Sequence, residues 1–375
     1  MTNIKSSLSC GLQAAVTVLP LALAMYACSP FGMGGIIILC TAACLLFPFC
    51  GLRPSYAGFA LIFACHALFG GTAALLAMGI GGILLFLLHK TDKLRFLAYS
   101  PAVGGVTLAL ALFFTVMQTT LYFGIGATGN SVTEMIRSYV SLGFHGNWRG
   151  VLYGTITLVI MVTYPRKFKK LCQRIPAPFW SILFTTLLNL WLNPKAETTA
   201  IAELGVFSAV PAFAWQNASL TPPGSFGAVL FGAALFFVLV FQVNQAETET
   251  DKKALFTGGA CLAGGLCCGL PLAPDNRKAP RAKEAVFSVL FSLLFLCLLA
   301  ALGLPLLAHR IPIPTLAVIL IVGAWQRVDW HSLKIAFTSG VKGIFSLVVV
   351  VAAALLVNPA VGVLAAVVCG ILFRQ

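Results

Sequence analysis

Gly269-Leu270-Pro271-Leu272-Ala273-Pro274-Asp275-Asn276-Arg277 interrupts one apolar run of the chain, and Arg53-Pro54-Ser55-Tyr56-Ala57-Gly58-Phe59 interrupts another. Each sets prolines and polar residues where a membrane helix needs an unbroken ladder of backbone hydrogen bonds. Reading outward by apolar runs and their breakers, spans are expected near 11–28, 32–50, 55–68, 70–88, 98–123, 150–164, 176–192, 225–243, 254–270, 272–284, 285–305, 312–326, 337–357 and 359–373. That makes about fourteen at roughly 20 residues per crossing, two of them too short to cross alone. The interrupted segments open spans 3 and 10, the same place in each set of seven. Inverted-repeat transporters put their substrate between discontinuous helices so placed. The expectation is an all-α polytopic membrane protein. It forms a single transmembrane domain over 1–375, with one repeat near 11–192 and its inverted partner near 225–373.

Composition demands the membrane independently. Of 375 residues, 59% are apolar and 9% charged, against about 25% charged in ordinary soluble domains. Mean hydropathy is +0.98. No soluble fold hides that much apolar surface, so a soluble enzyme, a disordered chain and a disulfide scaffold are excluded. The net charge of +14 is read as topology, not as a nucleic-acid patch, because Lys and Arg gather in short loops: His89–Arg95, Arg166–Arg174, Lys252–Lys253, Arg277–Lys283 and Arg327–Lys334. With both termini cytoplasmic, only Arg137, Arg149, Lys195 and Arg310 fall outside, and Arg53 counts with the cytoplasmic side. The longer outer segments, 124–149 and 193–224, are read as amphipathic or irregular connections. Lys5 followed by the apolar run to Ala27 resembles a signal peptide, but Pro20 within it and the spans that follow favour a retained first span.

The twelve cysteines imply no metal. Most lie in apolar runs, as Cys65, Cys261 and Cys369 do, and the vicinal Cys267–Cys268 pair has no Cys or His partners at zinc-like spacing. No Gly-x-Ser-x-Gly elbow, Walker A loop or His-Glu-x-x-His helix is present, so neither an enzyme nor a cofactor is expected, and ATP hydrolysis within this chain is excluded. Half-helix N-termini at mid-membrane present N–H groups and positive dipole ends, for which an anion is the natural occupant.

Further stretches carry a family likeness. Gly11 through Pro20 to Ala24, Lys93 through Pro101 to Gly105, Arg174-Ile175-Pro176-Ala177-Pro178, and Ile311-Pro312-Ile313-Pro314 through Trp325 occur in the order and spacing of the SulP family, the sulfate-permease-type anion transporters, which the chain resembles over nearly its whole length. The resemblance implies core and gate domains interleaved in two inverted seven-span repeats, with an anion between the N-termini of spans 3 and 10. The family's Ser-Gly-Pro-type turn lands on Ala57-Gly58-Phe59, and Arg277 falls within one residue of a frequent span-10 Arg. Three departures stand out. The span-8 stretch Gly232–Phe237, with Leu235, lacks the family's Glu; span 10 is short, with Pro280 inside it; and no soluble C-terminal (STAS) domain is expected after Gln375.

The candidate substrate-binding residues are Ala57, Gly58, Phe59, Tyr26, Ala273, Asp275, Asn276 and Arg277, with His66 and Asp275 as coupling candidates. Two readings stand beside each other for most of them. Arg277 offers a fork of donors to an oxyanion, or opens the positive-inside cluster. Asp275 is an intramembrane functional carboxylate, or a helix cap. Gly58 admits a ligand, or packs a helix. Tyr56 and Tyr26 line a cavity, or anchor at the interface. His66 relays protons, or bonds a neighbouring helix. The expected function is secondary transport of a small inorganic or carboxylate anion such as sulfate, by exchange or uniport in preference to symport, in the inner membrane and within the lipid bilayer. A homodimer is in keeping with the resemblance. The alternatives are a nucleobase permease of the same architecture and a degenerate, non-transporting binding subunit.

Overall fold

A computed structural model describes residues 16–25, 52–69, 71–88, 99–125, 129, 131–143, 145–192, 227, 229–238, 251–266, 271–274, 290, 294 and 310–373. In chain order these give α1 (Val16–Met25), β1 (Leu52–Pro54), α2 (Tyr56–Phe69), α3 (Gly71–Leu88), α4 (Ser100–Tyr122), α5 (Val132–Leu142), α6 (Trp148–Lys167), α7 (Lys169–Arg174) and α8 (Ala177–Leu192). There follow α9 (Val229–Val238), α10 (Asp251–Leu266), β2 (Leu272–Pro274), α11 (Ile313–Trp325), α12 (Trp330–Thr338), α13 (Gly340–Leu356) and α14 (Pro359–Phe373). The expected helical architecture holds, with two three-residue strands added to it.

Helix α4 shows why the apolar runs fold this way. Pro101 stands in its first turn, where the missing N–H costs nothing, and it carries no later proline. The hydroxyls of Thr115 and Thr119 donate back to the carbonyls of Ala111 and Thr115, at 2.8 and 2.5 Å, so polar side chains are satisfied within the helix. Its 23 residues run about 35 Å, enough to cross a hydrocarbon core of about 30 Å. Among the described residues it alone is both long and apolar enough to do so unaided, and the other apolar helices are shorter.

The helices fall into two packed groups. In one, α3 packs along α10 and against α2, and Gly81 of α3 meets the carbonyl of Ala233 and the Cβ of Phe236 on α9. The α3–α10 contact is backbone to backbone. A Cβ on Gly82 would stand 2.6 Å from the carbonyl oxygen of Gly258, and one on Gly265 would stand 2.6 Å from that of Leu75 and 2.7 Å from the amide nitrogen of Gly79. Small residues at such crossings let membrane helices approach closely, where packing replaces the hydrophobic drive.

In the other group, α4 packs against α11, α12, α13 and α14, and α6 packs against α8 and α11. Polar ties hold it together. The indole N–H of Trp325 donates to Thr115 Oγ1 at 2.9 Å, the amide of Asp329 donates to Thr107 Oγ1 at 3.2 Å, and Ser100 and Ser332 share a hydroxyl bond of 2.9 Å. Tyr153 on α6 donates to Asn189 Oδ1 at 3.0 Å, Asn189 Nδ2 donates to the carbonyl of Arg310 at 2.8 Å, and Thr315 donates to Thr185 at 3.0 Å. Among the described residues, α2 packs across to the second group, touching α4, α11 and α14.

Several boundaries differ from those expected. Helix α6 continues through Pro165 to Lys167, not ending at 164, and the loop expected at 327–336 contains most of α12, capped by Asp329 Oδ1 on the amides of His331 and Ser332. The outer connection 124–149 contains the amphipathic α5, whose cap Ser131 accepts from the amide of Glu134. Span 10 does not open as a helix at 272, because residues 272–274 are strand.

Candidate functional site

The two interrupted segments meet. β1 and β2 pair antiparallel, with Leu52 opposite Pro274, Arg53 opposite Ala273 and Pro54 opposite Leu272. One further bond extends the ribbon, from the amide of Ser55 to the carbonyl of Pro271 at 2.7 Å. Helix periodicity fails at both places because prolines remove the donors a helix needs, and each strand supplies the other's lost partners. Non-helical backbone is tolerated at membrane depth only where it is so enclosed. An antiparallel crossing is also what two segments related by a twofold axis in the membrane plane produce.

Helix α2 has 14 residues, about 21 Å, and three strand residues add about 10 Å. Only together do they reach the roughly 30 Å of a hydrocarbon core, so α2 alone is too short to cross one.

That N-terminus is organised by Ser55. Its carbonyl accepts the amide of Phe59 at 2.9 Å, and its Oγ accepts the amide of Gly58 at 3.1 Å. The side chain thus caps the helix and takes up donors that a helix start leaves without internal partners. The missing side chain of Gly58 is filled by the other segment of the ribbon: a Cβ there would collide with Cγ of Pro271 and lie 2.7 Å from its Cβ. Phe59 is buried and stacks on Phe114 of α4 at 5.8 Å, with 9° between the rings.

The ribbon brings together two of the expected site segments, Ala57-Gly58-Phe59 in the first turn of α2 and Ala273 in β2. His66 lies in the last turn of α2, at the far end of that helix. Tyr26, Asp275, Asn276 and Arg277 lie outside the described residues. Leu235, where the resemblance would have a carboxylate, is 2% exposed on α9.

Sequence reasoning missed two residues. Ser55 was legible as a cap, a Ser standing immediately before an apolar helical run. Arg53, sorted by charge to the cytoplasmic side, is a ribbon residue across from Ala273. Its neighbour Pro54 and its place before a half-helix were the available signals.

No family model matches the chain, and no curated protein sequence matches it. Solved structures do. The transmembrane domain of a cyanobacterium bicarbonate transporter, BicA, aligns over 99% of this chain and 98% of its own, with TM-score 0.71 and 19% identity. The structure of SLC26A9 aligns over 99% of this chain and 66% of its own, with TM-score 0.73 and 12% identity. Murine Slc26a9, described as an anion transporter in the inward-facing state, aligns over 100% of this chain and 69% of its own, with TM-score 0.72 and 13% identity. At such identities the likeness is one of fold, and from end to end this chain has the fold of the BicA transmembrane domain.

Proposed function

We propose that this chain is a secondary transporter of small inorganic or carboxylate anions working by alternating access. The observation that carries the reading is the ribbon, which brings the N-terminus of half-helix α2 beside the segment that opens span 10. A helix N-terminus enclosed within a membrane favours negative charge. Solved structures of the same fold, described as a bicarbonate transporter and an anion transporter, support the same class of substrate.

In this reading the anion lies against Ala57, Gly58 and Phe59 on one side and Ala273, Asp275, Asn276 and Arg277 on the other, with Tyr26 contributed by the first span. Arg53 joins the set as a second fixed charge. The group built on α3, α9 and α10 acts as the core that carries the site, and the group built on α4, α6 and α11–α14 acts as the gate. Leu235 offers no proton acceptor on span 8, which supports exchange or uniport over proton symport. The chain sits in the inner membrane with its termini cytoplasmic.

Purified protein in liposomes tests this directly. Labelled sulfate or bicarbonate uptake that requires an internal anion and ignores a pH gradient is the expected result. Folded protein that moves neither anion, and that no competitor anion stabilises, sinks the proposal.

A further inference from the structure

Helix α2 meets the gate at one point of unusual closeness. The hydroxyl end of Tyr56, the first residue of α2, lies directly over the Cα of Gly323 on α11: a Cβ at that position would coincide with the hydroxyl and stand 2.9 Å from Cε1. The Tyr56 ring also meets Phe114 edge-on at 6.1 Å and 88°. Further along the helix, Phe59 stacks on Phe114 and Phe63 meets Phe113 at 6.0 Å. The gate side of this contact is fixed, since two residues beyond Gly323 the indole of Trp325 is bonded to Thr115 on α4, next to Phe114. Tyr56 is fixed from the other side as well, following Ser55, which caps α2 and is tied to the ribbon at Pro271.

We propose that Gly323 is a seat for Tyr56: lacking a side chain, it lets the first residue of the half-helix dock on the gate, and this docking holds α2 in the arrangement described above. Tyr56 and Gly323 are positioning residues in this scheme. They set where the start of α2 stands relative to the gate, while the backbone of that start faces the anion. The inference rests on the transport reading, because the seat is the contact that the half-helix must leave when the core moves. The aromatic contacts along α2 are broad and apolar and tolerate sliding. The seat does not, because a tyrosine displaced along α11 meets Ile319, Leu320 or Val322 where it had met a bare Cα.

Hydrogen–deuterium exchange of the full chain in nanodiscs, without added anion, tests the seat. Gly323→Ala is expected to raise exchange at the first turns of α2 by about tenfold, and Tyr56→Ala to do the same, with the α3–α10 pair left protected. The double variant is expected to exchange no faster than either single one, because with no ring present the added methyl strikes nothing. Unchanged exchange at α2 in Gly323→Ala, or multiplied effects in the double variant, overturns the proposal. Should Gly323→Ala not fold, Tyr56→Ala decides alone: loss of protection confined to α2 supports the seat, and loss spread through α3 and α10 overturns it. Because no anion enters the measurement, failure of the transport reading leaves the exchange result standing. Uptake by wild-type protein with unaltered exchange in the variants removes the seat and leaves transport intact.

Discussion

Gly58 and Pro271, more than two hundred residues apart in the chain, fill one another's space: the proline ring occupies the volume a side chain at 58 would need. The contact joins the first turn of α2 to the start of the second interrupted segment, so the two halves of the ribbon are set by packing as well as by backbone hydrogen bonds. Gly58→Ala is therefore expected to overpack the junction and destabilise the protein by about 1–3 kcal/mol. A lowered thermal midpoint in detergent, with uptake reduced more steeply than the amount of folded protein, is the outcome to look for. An unchanged midpoint contradicts the packing.

Arg53 puts a fixed charge in the ribbon, across from Ala273. If that charge helps hold an anion, Arg53→Gln raises the apparent KM for uptake by about tenfold, or ~1.4 kcal/mol, while Arg53→Lys recovers part of it by keeping charge without the planar fork. Equal loss in both variants, with KM unchanged, assigns Arg53 to the ribbon's structure alone.

Leu235 tests coupling. A carboxyl placed at this buried position supplies span 8 with a group that can take up and release a proton. In Leu235→Glu, uptake is expected to become dependent on an imposed pH gradient. A folded variant that transports and still ignores the gradient argues against span 8 as the coupling position.

The bond between Trp325 and Thr115 ties α11 to α4. Thr115→Val leaves the indole N–H without that acceptor and is expected to cost about 1–3 kcal/mol, read as a lower thermal midpoint. The KM for the anion is expected to hold, because neither residue belongs to the site.

Helix α14 occupies the expected 359–373 without change, and α4 and α11 depart by two residues or fewer, because long apolar runs bounded by prolines and polar loops leave little choice. The ribbon was legible only as an interruption. Pairing between segments this far apart leaves no period in either one, so Arg53 was sorted with surface charge and 272–274 was expected to be helical. Charge and polarity hid α12, most of which lies in a segment whose composition reads as connection, while α5 meets the amphipathic reading of 124–149. The place of Gly323 was beyond reach, because among 35 glycines nothing marks the one on which a tyrosine rests.

The crossing of α3 and α10 settles how force can travel. Where Gly82 meets Gly258 and Gly265 meets Gly79, the two helices touch without rotamers to exchange, which favours a single register. Sliding by a single residue would drive side chains such as Leu262 into backbone. A block jointed in this way cannot absorb work by shearing internally. In the transport reading, free energy released by an occupant at the ribbon passes through this joint to the contacts of α2, as a lever transmits load only when its arm does not bend.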